Sequence, residues 1–266
     1  NPEGREVGAT IGLMQSMLAL LRDHEVTHIA AATDSVIRSF RNELFDGYKT
    51  GEGVEEELMS QFPLAEEALR ALGITVWPMI EYEADDALAA AAKFFGDDFD
   101  RIVIASPDKD LCQCVDGMHV QTLNRRKQEF FDHDAVVAKF GVPPAAIPDY
   151  LALVGDAADG IPGIPGWGPK TSSILLARHG SLEAIPDDPL DWDVAVRGAE
   201  RLADSLRGRR DDASLYKLLA TLVTDVDLET TLDDLAWQGV PYETFTELCD
   251  ELGAEHLKSR PHRWTE

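Results

Sequence analysis

Apolar residues recur at helical spacing through ATIGLMQSMLALLR, residues 9–22, and predict an amphipathic helix. VTHIAAATD follows as a short apolar strand closing on Asp34. Residues 54–72, VEEELMSQFPLAEEALRAL, return to helical spacing, with Gly73 as a stop. ITVWPM then predicts a second strand, EADDALAAAAKFF a helix, and DRIVIAS a third strand that runs straight into PDKDL. HVQTL and QEFFD have the pattern of a hairpin at a sheet edge. This alternation predicts an α/β core whose mostly parallel sheet is flanked by helices. From residue 134 onward the pattern is helical, interrupted by a surface loop at IPDDPLDWD. The expected division is therefore an α/β core over 1–133 and a helical region over 134–266, with no internal repeat or low-complexity tract.

Composition changes this picture in two places. A chain of 266 residues with 44% hydrophobic and 27% charged residues has the make-up of a soluble globular protein with a sizeable core. No apolar run reaches bilayer length and no secretory pattern opens the chain, so no membrane partner and a cytoplasmic location are expected. Cys112, Cys114 and Cys249 make an odd set without zinc spacing, which suits reduced thiols. Cys112-x-Cys114 has the spacing of a redox pair, but a turn after a strand explains it equally and is the preferred reading. The second change is charge. Forty-nine acids against 24 bases leave a net −25, which excludes a broad, nonspecific nucleic-acid-binding face. Basic residues still cluster at 125–127, at 207–210 and near the C-terminus.

The acids are not scattered. In a parallel α/β sheet, ligands bind beyond the carboxyl ends of the strands. Asp34 ends the first predicted strand, Glu83, Asp85 and Asp86 follow the second, and Asp108 and Asp110 follow the third. Taken singly, each has a local explanation as a helix cap or turn former. Gathered on one sheet edge they repel one another unless cations neutralise them. Oxygen ligands without His or Cys select Mg²⁺ or Mn²⁺ over zinc. Asp156 and Asp159 bring the set to eight acids, enough for two metal ions about 4 Å apart.

GIPGWGPKT follows those last acids at once, with glycines at 163, 166 and 168. Such a loop exposes main-chain N–H groups and lets another backbone approach. The helix SSILLARHG after it offers a phosphate-binding N-terminus, to which Lys170 adds a charge and Thr171 a hydroxyl. Phosphate-loop spacing is absent, because Gly168 is followed by Pro169 rather than lysine.

With EADD, SPDKDL and GDAADGIPGIPGWGPKT in this order and spacing, nearly the whole chain resembles the flap endonuclease and 5'-3' exonuclease family. Within it, the chain is similar to small bacterial exonucleases and to the 5'-nuclease domain of bacterial DNA polymerase I. SFRNELFDGYK and RRDDASLYKLLATLVTDVDL resemble further family segments. The resemblance implies a PIN-like 5'-nuclease core and a helix–three-turn–helix motif at about 150–185. It implies that Asp34, Glu83, Asp85, Asp86, Asp108, Asp110, Asp156 and Asp159 bind Mg²⁺ or Mn²⁺, with Asp34, Asp86 and Asp108 central to catalysis. Arg41 and Lys49 match basic residues near the scissile phosphate. Gly163, Gly166, Trp167, Gly168, Lys170, Thr171 and Arg178 match the DNA-gripping segment, where relatives hold K⁺ on main-chain oxygens. The implied reaction is hydrolysis of DNA at a 5' end or 5'-flap junction by a monomer serving replication and repair.

Three departures from the family qualify this expectation. The family usually opens with a strand bearing an Asp-Gly pair, and the sequence starting at Asn1 holds none before its first helix. Thr50, Gly51 and Glu52 stand where relatives continue with basic residues, so no basic arch is expected. Gly160 replaces a common asparagine. The alternatives are a non-catalytic, structure-specific DNA-binding protein lacking the first metal-binding Asp, and a PIN-like ribonuclease. The glycine loop and helical C-terminal half disfavour the ribonuclease.

Overall fold

The computed structural model describes residues 4–23, 26–51 and 53–265; Glu52, where the basic arch was expected to be lost, lies outside them. Helices longer than one turn are α1 (Gly8–Asp23), α2 (Phe62–Ala71), α3 (Ala84–Phe94), α4 (His133–Phe140), α5 (Ile147–Val154), α6 (Pro169–His179), α7 (Ala199–Arg207), α8 (Arg210–Ala220) and α9 (Tyr242–Leu252). The strands are β1 (Ala30–Asp34), β2 (Thr75–Met79), β3 (Ile102–Ile104), β4 (Val120–Asn124) and β5 (Glu129–Phe131). The chain divides into two compact units that cut across a boundary at residue 133. One unit comprises residues 1–37, 51–84 and 227–266; the other comprises 38–50 and 85–226.

In the first unit, β1 and β2 pair in parallel from Ala30↔Thr75 to Asp34↔Met79. Parallel strands need a crossover, and α2 lies within it. The single long helix expected over 54–72 is instead two, Glu56–Met59 and α2. Pro63 is the reason, since it suits the first turn of a helix but not its interior. Pro78 is exposed in β2, which pairs only with β1 among the described strands, where a residue lacking an N–H is tolerated. Leu18, Leu72, Trp237, Phe245 and Leu252 contribute to this unit's core.

The second unit holds a separate sheet, with β3 parallel to β4 and β4 antiparallel to β5. The β4–β5 hairpin matches its sequence pattern. At the centre lies α5, which is buried from Ile147 to Leu153 and packs against α6 and α8. A helix that is apolar nearly all round is a core helix. Beyond α5 the chain folds back on itself. Asp156 and Ile161 exchange backbone hydrogen bonds, each 2.8 Å, and the Ile164 N–H donates to the Leu153 carbonyl at 2.8 Å.

This fold-back requires a residue without a side chain at 163. Gly163 has φ +71°, and a Cβ there would stand 2.5 Å from the Gly155 nitrogen. Gly163→Ala is therefore expected to cost about 3 kcal/mol of unfolding free energy, at the upper end of ordinary substitutions. Gly12→Ala in exposed α1, where a Cβ meets nothing within 4 Å, is expected to add about 0.5–1 kcal/mol instead. Urea denaturation of the two variants checks both signs.

Candidate active site

Two of the sequence-expected acids belong to the first unit. Asp34 ends β1, and its Oδ1 accepts the Ala84 N–H at 2.7 Å, while Glu83 is buried beside that residue. Asp34 thus reaches across 50 residues to the first N–H of α3, a contact the local reading as a turn former does not describe.

The second unit brings three acids together. Ligand oxygens of Asp110, Asp156 and Asp159 lie within 4.8 Å of one another. Asp110 opens a turn of 3₁₀ helix, Asp110–Cys114, just after β3. Its approach is shaped by two local bonds: the Asp108 N–H donates to Ser106 Oγ, and the Asp110 N–H donates to Asp108 Oδ1, both at 3.1 Å. Asp108 therefore acts as a turn former that turns its neighbour inward. Asp156 and Asp159 arrive on the fold-back after α5. Asp156 is 2% exposed, with Oδ1 accepting the Ala158 N–H at 3.0 Å. The Lys49 N–H donates to the Asp159 carbonyl at 3.0 Å, and Lys49 Nζ lies 4.0 Å from Asp159 Oδ1. That approach needs Gly160, whose Cβ would lie 2.1 Å from the Gly47 carbonyl oxygen.

Crowding sets the electrostatics. Burial, followed by the charges of Asp108, Asp159 and Asp156, pushes the Asp110 carboxyl up to about 9, with Lys109 opposing. Asp110 Oδ1 is buried without a hydrogen-bond partner. Asp156 Oδ2 has no hydrogen bond of regular geometry, but the Lys109 ammonium is in ion-pair contact with it. Burial lowers the Lys109 pKa, yet Asp156, Asp110 and Asp108 together outweigh it and leave it raised. Lys109 was legible only as a lysine between two acids in SPDKD, and it was not among the expected site residues.

The structure corrects two assignments. Arg41 is completely buried rather than near a surface phosphate. Its guanidinium donates to both carboxylate oxygens of Asp86 at 2.7 Å and to the carbonyls of Leu219 and Thr221. Asp86 also accepts the Val223 N–H at 2.8 Å, so it serves in an internal clamp. Asp85, its neighbour on α3, is half-buried.

Trp167 is the second correction. It is 5% exposed, donates from Nε1 to the Leu202 carbonyl, and meets Trp192 edge-on, so it packs the loop onto α7 instead of offering a face to DNA. Elsewhere in the loop, Gly166 and Lys170 are exposed, Gly168 and Thr171 half-buried, and Gly163 buried. Gly168 is the N-cap of α6 and Pro169 its first residue, with no side chain capping that end. Arg178 sits at the opposite end of α6, roughly 12 Å along the axis from Lys170, and pairs with Asp193 at 2.6 Å.

Comparison with known proteins divides the chain in sequence order, unlike the two discontinuous units. Residues 1–141 match the family model for the 5'-3' exonuclease N-terminal resolvase-like domain, and 142–243 that for its C-terminal SAM fold. The chain belongs to the 5'-3' exonuclease family. It is 34% identical to the 5'-3' exonuclease of Aquifex aeolicus over 234 residues, covering 88% of this chain and 78% of that one. It is 35% identical to DNA polymerase I of Bacillus caldotenax over 258 residues, covering 95% of this chain but only 29% of the polymerase. Among solved structures it resembles the T5 5'-exonuclease with bound zinc, at TM-score 0.70 and 16% identity over 94% of this chain and 92% of that one. It also resembles the catalytic core of Rad2 with DNA substrate, at TM-score 0.62 and 19% identity over 93% and 82%. These two likenesses bear out the PIN-like core with a helical C-terminal region. No helix among the described residues is long and apolar enough to cross a membrane.

A divalent cation fits the acidic cluster of this chain. The donors are all carboxylate oxygens, one of them buried and unbonded, which is the chemistry a hard cation takes.

Two outcomes follow from this geometry. Removing Arg41 strands the Asp86 charge in the interior, and Arg41→Met is expected to cost about 3–5 kcal/mol, read by urea denaturation. The Asp110 shift has a definite sign. Its stabilising contribution is full below the ordinary carboxyl value of 3.8 and is lost as pH rises toward about 9, because the folded state holds a proton that the unfolded chain releases. In a chelator, Asp110→Asn is expected to flatten the fall in melting temperature between about pH 5 and about pH 9.

Proposed function

We propose that this chain is a divalent-metal-dependent 5' nuclease that hydrolyses DNA phosphodiesters at 5' ends or 5'-flap junctions, in replication and repair. The observation that carries the reading is the meeting of Asp110, Asp156 and Asp159, with an unbonded buried carboxylate oxygen, beside a glycine loop that opens a helix. It is supported by family membership and by the divalent ions and DNA substrate named for the T5 and Rad2 neighbours. The chain spans under a third of the length of its polymerase relatives.

Asp110, Asp156 and Asp159 would hold Mg²⁺ or Mn²⁺, the ions suited to an all-oxygen donor set. Asp108 and Asp85 are proposed as further acids of the site, and Asp34 and Glu83 as metal-binding acids of the first unit. Bound divalent ions supply an activated water and neutralise charge on the scissile phosphate. Asp110 gives up its proton when the ion enters. The Lys49 ammonium, 4.0 Å from Asp159 Oδ1, is proposed to meet a phosphate oxygen. At the loop, the uncapped N-terminus of α6 and the exposed Lys170 grip a backbone phosphate at a distance from the acids. Main-chain oxygens of the loop 161–171 are the proposed K⁺ ligands. Water oxygen joins phosphorus as the bond to the 3' oxygen breaks, leaving a 3'-hydroxyl and a 5'-phosphate. The enzyme is proposed to act as a cytoplasmic monomer.

Cleavage of a labelled 5'-flap duplex with Mg²⁺ or Mn²⁺ tests this reading, with DNA binding measured alongside. Metal-dependent release of 5' fragments is expected, falling on the order of 100-fold or more in Asp156→Asn, since metal stabilisation of the transition state is worth several kcal/mol. Duplex binding without turnover in either metal would instead establish a non-catalytic DNA-binding protein.

A further inference from the structure

We propose that Lys109, seconded by Lys49, is an internal counter-cation for the acidic cluster, so that a divalent ion enters by displacing the Lys109 ammonium from Asp156. The inference rests on reading that cluster as the metal site. Asp156 is almost wholly removed from water, and its Oδ1 is committed to the Ala158 N–H. Its Oδ2 is buried and takes no regular hydrogen bond, and the Lys109 ammonium lies against that atom. An ammonium and a metal ion cannot both occupy this contact, and if the ammonium stayed nearby the two cations would repel.

The local backbone gives Lys109 this position without holding its side chain there. The two bonds through Ser106 and Asp108 fix the turn and point Asp110 inward. The lysine side chain remains 35% exposed, leaving it a path into solvent. Lys49 is a looser second cation, with Nζ 4.0 Å from Asp159 Oδ1 and its side chain 24% exposed. Together the two ammonium groups supply the charge of one divalent ion. The contrast with Arg41 is instructive: its bidentate pair with Asp86 has a side-chain exposure of 1% and no such exit. Lysine is the suitable cation for an exchangeable contact, being a flexible point charge where arginine is a fixed fork.

The proposal separates Lys109 from a residue that only stabilises the turn. Mn²⁺ binding to the DNA-free, full-length chain is measured from the resonance of free Mn²⁺, together with the melting temperature in a chelator. Lys109→Gln is expected to tighten Mn²⁺ binding about fivefold to tenfold, the scale of one nearby unit charge in a partly hydrated site, while lowering the metal-free melting temperature. Lys109→Arg, which keeps the charge, is expected to show no tightening and guards against misfolding of the neutral variant. Unchanged or weaker Mn²⁺ binding in a folded Lys109→Gln protein overturns the proposal. Asp156→Asn distinguishes the two levels of failure: if it leaves Mn²⁺ binding intact, the metal-site reading itself falls and the exchange falls with it.

Discussion

Carboxylates packed close together in a protein interior cannot all stay ionised without cations, and this constraint organises the second unit. Two solutions to it stand side by side. Asp86 is neutralised permanently by Arg41, with both oxygens engaged, the remaining guanidinium donors spent on the Leu219 and Thr221 carbonyls, and an added bond from the Val223 N–H. Asp110, Asp156 and Asp159 are compensated only in part, by lysines at the edge of the cluster, and one carboxylate oxygen is left without a partner. A pair closed in this way serves the fold, whereas partial compensation keeps a site in which a cation gains a large interaction on entering.

The same distinction explains what could be read in the sequence. Strand and helix patterns are local, and β1 to β5, α1, α3 and α6 follow them closely. The acids stand next to strand ends or the glycine loop, so their candidacy was visible too. Arg41 was placed near the scissile phosphate on resemblance alone, while the partners that bury it lie 45, 178 and 180 residues away. Trp167 was misread for the same reason: its indole partner, the Leu202 carbonyl, belongs to a helix 35 residues on. The division into two units is likewise a tertiary outcome, assembled from discontinuous segments that no local pattern marks. The break at Pro63, by contrast, was legible and overlooked.

Net charge takes on a narrower meaning once these contacts are known. A chain at −25 has little long-range attraction for DNA, and several of its cations already hold carboxylates, including Arg178 with Asp193 and Lys217 with Asp149 and Glu183. In the proposed function, affinity must come from a few close contacts, chiefly main-chain donors at the start of α6 and the exposed Lys170. Such contacts orient a nucleic acid more than they concentrate it, because counterion release scales with the number of phosphates neutralised. A surface of this kind suits an enzyme that recognises one place on its substrate.

That place is measured by backbone. The reciprocal bonds between Asp156 and Ile161 tie the acid cluster to the loop through a closed ring of main chain, and the Ile164 N–H fastens the loop to the end of α5. Gly163 allows the two strands of this fold-back to touch, and Trp167 anchors its far side on α7. Side-chain rotations therefore change little in the separation between a phosphate held at α6 and the carboxylates at 156 and 159. A nuclease that selects its cut by distance from a gripped phosphate needs this stiffness. It needs mobility only in the cations, and the lysines beside the acids, on flexible stems with partly exposed side chains, are where the structure provides it.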